Sequence, residues 1–177
     1  MYKRQPYDDE NVGEEVYFHI LNHARKYVHI MTPYLILDNE MITTLTRVAK
    51  SGVEVSIIMP HIPDKWYAFA VAKTYYKELI EGGVRIYEYE PGFVHAKVFV
   101  ADDDTASVGT INLDYRSLYL HFECGAFIYN NSEIDRIERD FQETLEKCHK
   151  VTLMEVKNRS LLTKIVGQVL KLVAPLM

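Results

Sequence analysis

Three strand-length runs, at 28–32, 53–59 and 84–89, alternate with segments of helical period at 11–26, 39–50 and 65–81. Strands taken in turn with helices bury a sheet beneath a helical layer. The sequence therefore predicts an α/β layered domain with a central mixed β-sheet flanked by helices. In 11–26, Val12, Val16, Ile20, Leu21 and Ala24 share one face. Glu14 and Glu15 stand in its first turn, where negative charge meets the positive end of the helix dipole. In 39–50 the inward set is Met41, Leu45, Val48 and Ala49, with Gly52 as the stop. Pro33 ends the first strand, and Gly82-Gly83 ends the third helix.

The pattern then changes. Pro91-Gly92 turns the chain into a strand beginning near His95, Asp102-Asp103-Asp104 makes a tight turn, and 105–109 pairs back as a hairpin. A further strand is expected at 123–129. Ser132 reads as the cap of a helix whose inward stripe is Ile134, Ile137, Phe141, Leu145 and Cys148. Residues 1–157 form one domain in this reading, and 158–177 an amphipathic C-terminal helix. Within 160–176, Lys164, Gln168 and Lys171 line one side, and Leu161, Leu162, Ile165, Val166, Val169, Leu170 and Val173 cover the rest. Such a helix docks on a protein surface or lies in the plane of a bilayer interface.

A chain of 177 residues, 48% apolar and 25% charged, is long enough to bury one core. Its net charge of -5, with no run of Lys and Arg, argues against nucleic acid as a partner. Cys124 and Cys148 lack zinc or redox spacing and read as reduced thiols. The start of the chain has no signal-peptide pattern, and no apolar run reaches the ~20 residues of a membrane span.

Chemistry concentrates in His95-Ala-Lys97-Val-Phe-Val-Ala-Asp102 and the following Gly109-Thr110-Ile111-Asn112. On a strand, His95 and Lys97 share one side, while Ala96, Val98 and Val100 take the other, buried side. An imidazole beside a fixed cation suits work on a phosphodiester. The cation neutralises phosphate oxygens, and the imidazole attacks phosphorus or protonates a leaving oxygen.

The spacing H-x-K-x4-D followed by G-T-x-N resembles the HKD motif of the phospholipase D superfamily. Thr32-Pro33-Tyr34, Ile62-Pro63-Asp64-Lys65, the segments 87–93 and 109–117, and His121-Phe122-Glu123 resemble the C-terminal half of a bacterial cardiolipin synthase. The resemblance implies phosphatidyl transfer between two phosphatidylglycerols through a phosphohistidine, giving cardiolipin and glycerol. By that likeness His95 is the general acid and base, because the family's N-terminal motif usually supplies the nucleophile. Lys97 and Asn112 bind non-bridging phosphate oxygens. Thr110 adds a hydroxyl donor or caps its own turn, and Gly109 lets the chain turn sharply. Glu123 accepts a hydrogen bond from the distal ring nitrogen of His95, and Asp102 ties the hairpin. Arg116 meets a head-group phosphate or holds its loop by an ion pair.

The likeness implies no metal and no other cofactor, because lysines neutralise the charge. It implies three partners: the phospholipid substrate, the N-terminal half of the same enzyme or a second copy, and a membrane surface. The full-length enzyme belongs at the cytoplasmic face of the cell membrane. Members of the family carry two HKD motifs and N-terminal membrane helices. With one motif, this chain is expected to be a piece of a larger enzyme and incomplete alone. Two rival readings are a single-motif homodimeric phosphodiesterase or nuclease, and a non-catalytic module that binds lipid surfaces through its tail.

Overall fold

The computed structural model describes residues 1–5 and 9–174. The end of the expected 160–176 helix, at 175–176, lies outside the described residues. Eight strands form one mixed sheet in the order β1-β7-β6-β5-β2-β3-β4-β8. Their ranges are β1 Tyr2–Arg4, β2 Tyr27–Met31, β3 Glu54–Pro60, β4 Arg85–Tyr89, β5 Val98–Ala101, β6 Thr105–Gly109, β7 Glu123–Tyr129 and β8 Cys148–Lys150. β2, β3 and β4 run parallel, and every other pairing is antiparallel. The parallel strands are joined by α2 (Asn39–Lys50) and α3 (Trp66–Glu81), as a parallel crossover requires.

α1 (Val12–His23), α2 and α3 pack on one face of the sheet over Val28, Ile30, Ile57, Ile86 and Phe99. α4 (Glu133–Leu145) covers the other face, where Phe141 and Ile134 are fully buried against Met31, Ile58, Val98 and Val100. His29 stacks on Phe141 with ring centroids 4.4 Å apart and bonds Glu138 at 2.9 Å, so it is held as a core histidine. β5 lies between the layers and is buried along its whole length.

The strand carrying the H-x-K pair starts later than expected. His95 and Lys97 precede β5 in an irregular segment, because β2 offers its last pairing partner to Val98 through Met31 before Pro33 intervenes. The alternation of faces persists there: Val94, Ala96 and Val98 pack with Phe141, while Phe99 and Ala101 join the opposite cluster. Ser132 stands at the N-cap position of α4, but its side chain makes no cap hydrogen bond: its backbone is already helical, and the Asn131 side chain accepts the Glu133 N–H at 2.9 Å instead. Cys148 lies on β8, beyond the helix, and donates its thiol to the Thr144 carbonyl.

α1 ends at His23, three residues short of the expected boundary. The residues that follow are taken up by Asp102, whose carboxylate accepts the backbone N–H groups of Arg25, Lys26 and Tyr27 at 2.5, 2.8 and 2.9 Å. Asp102 and Asp103 adopt φ of 54° and 65°, left-handed values that Asp tolerates better than bulkier residues. The β5–β6 turn is thereby fastened to the entry of β2.

The tail forms two helices, α5 (Leu153–Asn158) and α6 (Leu161–Lys171). Thr152 and Glu155 make a reciprocal capping box at the start of α5. α6 lies on α3, and Gly167 makes the crossing close: a Cβ there would stand 2.8 Å from Thr74 Cγ2 and 2.9 Å from the Ala70 carbonyl oxygen. The docked side of α6 carries Gly167, Leu170 and Lys171, and most of its aliphatic stripe faces outward.

Asp102→Ala removes three charge-assisted hydrogen bonds and leaves an alanine at positive φ. Urea denaturation should show a loss of about 1–3 kcal/mol, smaller for Asp102→Asn, which keeps an acceptor and tolerates the left-handed backbone.

Candidate active site

The segment that begins at Gly109 must approach β7 closely. A Cβ on Gly109 would lie 2.5 Å from the Cys124 carbonyl oxygen and 2.6 Å from Gly125 Cα, so this position excludes every side chain. The Gly109 N–H also bonds the Lys97 carbonyl at 3.2 Å, which ties the H-x-K segment to β6 just before the strands part. Thr110 then binds the first turn of β7 through its backbone N–H to Cys124 at 2.9 Å.

Glu123 is the centre of the resulting network. One carboxylate oxygen accepts the Thr110 hydroxyl, and the other accepts the Ser117 hydroxyl at 3.0 Å. Ser117 in turn accepts from the Asn112 amide at 2.9 Å, and its backbone N–H donates to Asp114 at 2.8 Å. Ser117 opens the second residue of a π-helical turn, Arg116–Leu120, which brings its hydroxyl back over Glu123. His121 Nδ1 stands 3.8 Å from Glu123, and its Nε2 accepts from the Arg116 guanidinium at 3.2 Å. That contact puts the proton of a neutral imidazole on Nδ1, toward the carboxylate.

Lys97 is 9% exposed, and its ammonium donates to the His95 carbonyl at 2.6 Å. Burial lowers its pKa, while the Glu123 and Asp114 carboxylates pull it back up. Burial raises the Asp114 carboxyl, and the Ser117 backbone N–H opposes that rise. The buried cation thus feels the charge of two carboxylates of the same fold. His95 is exposed, and its ring packs against Phe93 at 5.8 Å between centroids.

Three expectations change here. The Glu123 carboxylate is committed to Thr110 and Ser117, and His95 is not its partner. The register pairing Gly109 with Gly125 brings Thr110, and not His95, beside it. The Thr110 hydroxyl has one proton, directed at Glu123, and accepts the Cys124 N–H at 3.1 Å, so no proton is left for a phosphate. Arg116 is held by His121, not by a carboxylate ion pair.

Beside this network opens a cleft of about 360 Å³. Asn112, Asp114, Arg116 and His121 form one wall, and Tyr34, Lys65 and Tyr67 contribute to the rest. Lys65 lies over the Tyr34 ring at 5.4 Å, and the Tyr34 hydroxyl donates to Asp64 at 2.6 Å. His95, Lys97 and Glu123 are not part of the cleft lining, whereas Asn112, Asp114 and Ser117 of the same network are. Asn112 Oδ1 is buried without a hydrogen-bond partner, an acceptor left open beside the cleft.

Residues 17–145 match the family model described as "Cardiolipin synthase, PLD-like domain". The chain belongs to this phospholipase D-like family. A Streptococcus mutans protein described as uncharacterized is 56% identical over 99% of this chain and 38% of its own length. A cardiolipin synthase of Clostridium perfringens is 44% identical over 91% and 34%, and cardiolipin synthase 2 of Bacillus anthracis is 39% identical over 93% and 32%. The phospholipase D-like chain therefore spans about a third of the length of these relatives. Solved structures agree on the fold. The phospholipase D family member Nuc from Salmonella typhimurium superimposes with a TM-score of 0.70 at 17% identity, covering 85% of this chain and 97% of that one. Phosphatidylserine synthase from Haemophilus influenzae gives 0.74 at 17% identity, covering 98% and 44%. No helix among the described residues is long and apolar enough to cross a membrane.

Glu14 stands in the first turn of α1, as the sequence predicts, and the fold buries it there. It is 7% exposed, and both its oxygens accept from the Tyr119 hydroxyl at 3.0 Å, with Asn11 donating at 2.6 Å. The same hydroxyl lies 2.5 Å from Asp38, the cap of α2. Tyr119 belongs to the π-helical turn that carries Ser117, so α1 and α2 together brace the loop over Glu123. Burial, then Asp38, pushes the Glu14 carboxyl from its ordinary 4.5 up to about 7. The folded state then holds a proton that the unfolded chain has lost, so this group's contribution is complete below about pH 4.5 and declines as pH rises through 7. Urea midpoints of wild type and Glu14→Gln, compared at about pH 5 and about pH 8, should show a steeper fall for the wild type.

Proposed function

We propose that this domain supplies one half of a phosphatidyl-transfer site of a cardiolipin synthase. The observation that carries the reading is the buried Lys97 side chain, its ammonium bonded to the His95 carbonyl, two residues from the exposed His95 imidazole. Among the described residues no hydrogen bond holds the His95 imidazole, and its ring is open to a ligand from outside. Lys97 is already desolvated, so a phosphate oxygen meeting it competes with little water.

The reaction is written as two displacements. A histidine of the other half attacks the phosphorus of one phosphatidylglycerol, forming a phosphorus–nitrogen bond and breaking the bond to the terminal glycerol oxygen. His95, protonated, gives that oxygen its proton, and glycerol leaves. His95, now neutral, takes the proton from the hydroxyl of a second phosphatidylglycerol. That oxygen attacks phosphorus, the phosphorus–nitrogen bond breaks, and cardiolipin is released. Lys97 and the free amide hydrogen of Asn112 stabilise the charge that gathers on the non-bridging oxygens. Glu123 acts at a distance: it holds Ser117, and through it the Asn112 amide, in position.

The test supplies this chain together with the remainder of the full-length enzyme and measures cardiolipin and glycerol formed from detergent-dispersed phosphatidylglycerol. His95→Ala should lower turnover by about 10²–10⁴-fold. Lys97→Ala should lower it by about 10²–10³-fold, as for the loss of a donor aimed at developing charge. Undiminished turnover in His95→Ala would overturn the reading. Salt-sensitive cleavage of DNA by the chain alone would replace it with the phosphodiesterase alternative.

A further inference from the structure

A second basic site exists that no run of charge in the sequence reveals. α3, α5 and α6 enclose a pocket of about 290 Å³ lined by Lys73, Lys77, Lys157, Arg159 and Lys164. Thr74, Thr163 and Gln168 add neutral donors to its wall. Five cations converge in a chain whose net charge is -5. Two carboxylates answer them at long range: Glu88 stands 3.8 Å from Lys73, and Glu81 4.0 Å from Lys157. Among the described residues, no carboxylate lies within ion-pair distance of Lys77, Arg159 or Lys164. Arg159 is fixed by its contact with the Tyr76 ring at 5.0 Å and its bond to the Lys73 carbonyl at 3.1 Å. Lys164 is fixed by a bond to the Lys157 carbonyl at 2.7 Å. Arg159 and Lys164 are thus held in place by a ring contact and backbone carbonyls. Burial and the neighbouring Arg159 both lower the Lys73 ammonium, against Glu88, which raises it.

One flank of α6 lines this pocket, and the outward flank is wholly aliphatic. Leu161 is 74% exposed, Leu162 73% and Leu172 82%, with Ile165, Val166, Val169 and Val173 exposed beside them. At 100° per residue these positions fill one continuous arc, and Lys164 and Gln168 border it. Protein-binding surfaces favour Tyr, Trp, Phe and Arg, whereas this arc carries branched hydrocarbon alone. An apolar face beside a cluster of five cations, three of them without a carboxylate in ion-pair distance among the described residues, matches acyl chains beneath anionic head groups.

We propose that α6 and the α3–α5 pocket form a docking surface for an anionic phospholipid bilayer. The aliphatic arc enters the acyl boundary, and a head-group phosphate occupies the pocket between Lys77, Arg159 and Lys164. α3 joins this surface to the cleft: Tyr67 lines the cleft, and Ala70, less than one turn further along, lines the pocket. Docking would hold the cleft near lipid without contributing to the chemistry. The proposal does not rest on the transfer reading, since binding needs no turnover.

Vesicle sedimentation of the full chain tests it, using phosphatidylcholine vesicles with and without phosphatidylglycerol. The wild type should bind only the phosphatidylglycerol-containing vesicles, less as salt rises. Lys77→Glu/Lys164→Glu should weaken binding by at least about tenfold, and Leu162→Gln/Ile165→Gln should do the same. All four side chains are at the surface or pocket rim, and unchanged thermal midpoints would show that the fold survives. His95→Ala should bind as the wild type does, which separates docking from catalysis. Equal binding to pure phosphatidylcholine, or wild-type binding by either double variant, overturns the proposal. So does the absence of vesicle binding together with self-association that the α6 variant abolishes, which would make the occupant a second copy.

Discussion

The site depends on one desolvated cation and the charge of two carboxylates. Lys97 is buried within the field of Glu123 and Asp114, and each carboxylate is fixed by donors from the same loop. Remove the ammonium and two partly buried carboxylates lose a cation that offsets their charge. Remove Glu123 and the Ser117 and Thr110 hydroxyls lose their acceptor. Burying a charge is tolerable only when its partners are present and oriented, and here the partners come from β7, the π-helical turn and the segment before β5. The loop is itself held from behind by Tyr119 against Glu14 and Asp38. The first two helices therefore support the site without touching it.

The layered fold was legible because its signals are local. Helical period and strand length mark α1 to α3 and β2 to β4 within a residue or three, and the aspartates at 102–104 mark their own turn. The period-two alternation of Val94, Ala96 and Val98 also reads correctly, although hydrogen bonding to β2 begins only at Val98. The short edge strands β1 and β8 have no pattern of their own; they exist because β7 and β4 present free edges. The partner of Glu123 could not be read, because it is decided by the register of β6 on β7. The first-turn position of Glu14 was legible, but its burial was not, because Tyr119, more than a hundred residues away, bonds it.

The tail illustrates a different limit. Its amphipathic pattern was clear, but pattern alone does not say which side faces the protein. Gly167 decides it, because only the side without a side chain can come so close to Ala70 and Thr74. The crossing places the lysines inward, where α3 and α5 add their own. A basic site is thereby built from 73–77 and 157–164, segments that are each unremarkable in the linear chain.

β5 is covered on both sides, by Phe141 and its neighbours on one and by the α1 layer on the other. Sliding it by one residue would send each layer's side chains into the other's packing, so its placement admits discrete alternatives only. The ammonium that follows from that placement cannot be nudged by small steps. Change among such domains is then easiest in the loops rimming the cleft, with the buried ammonium left where the sheet has put it.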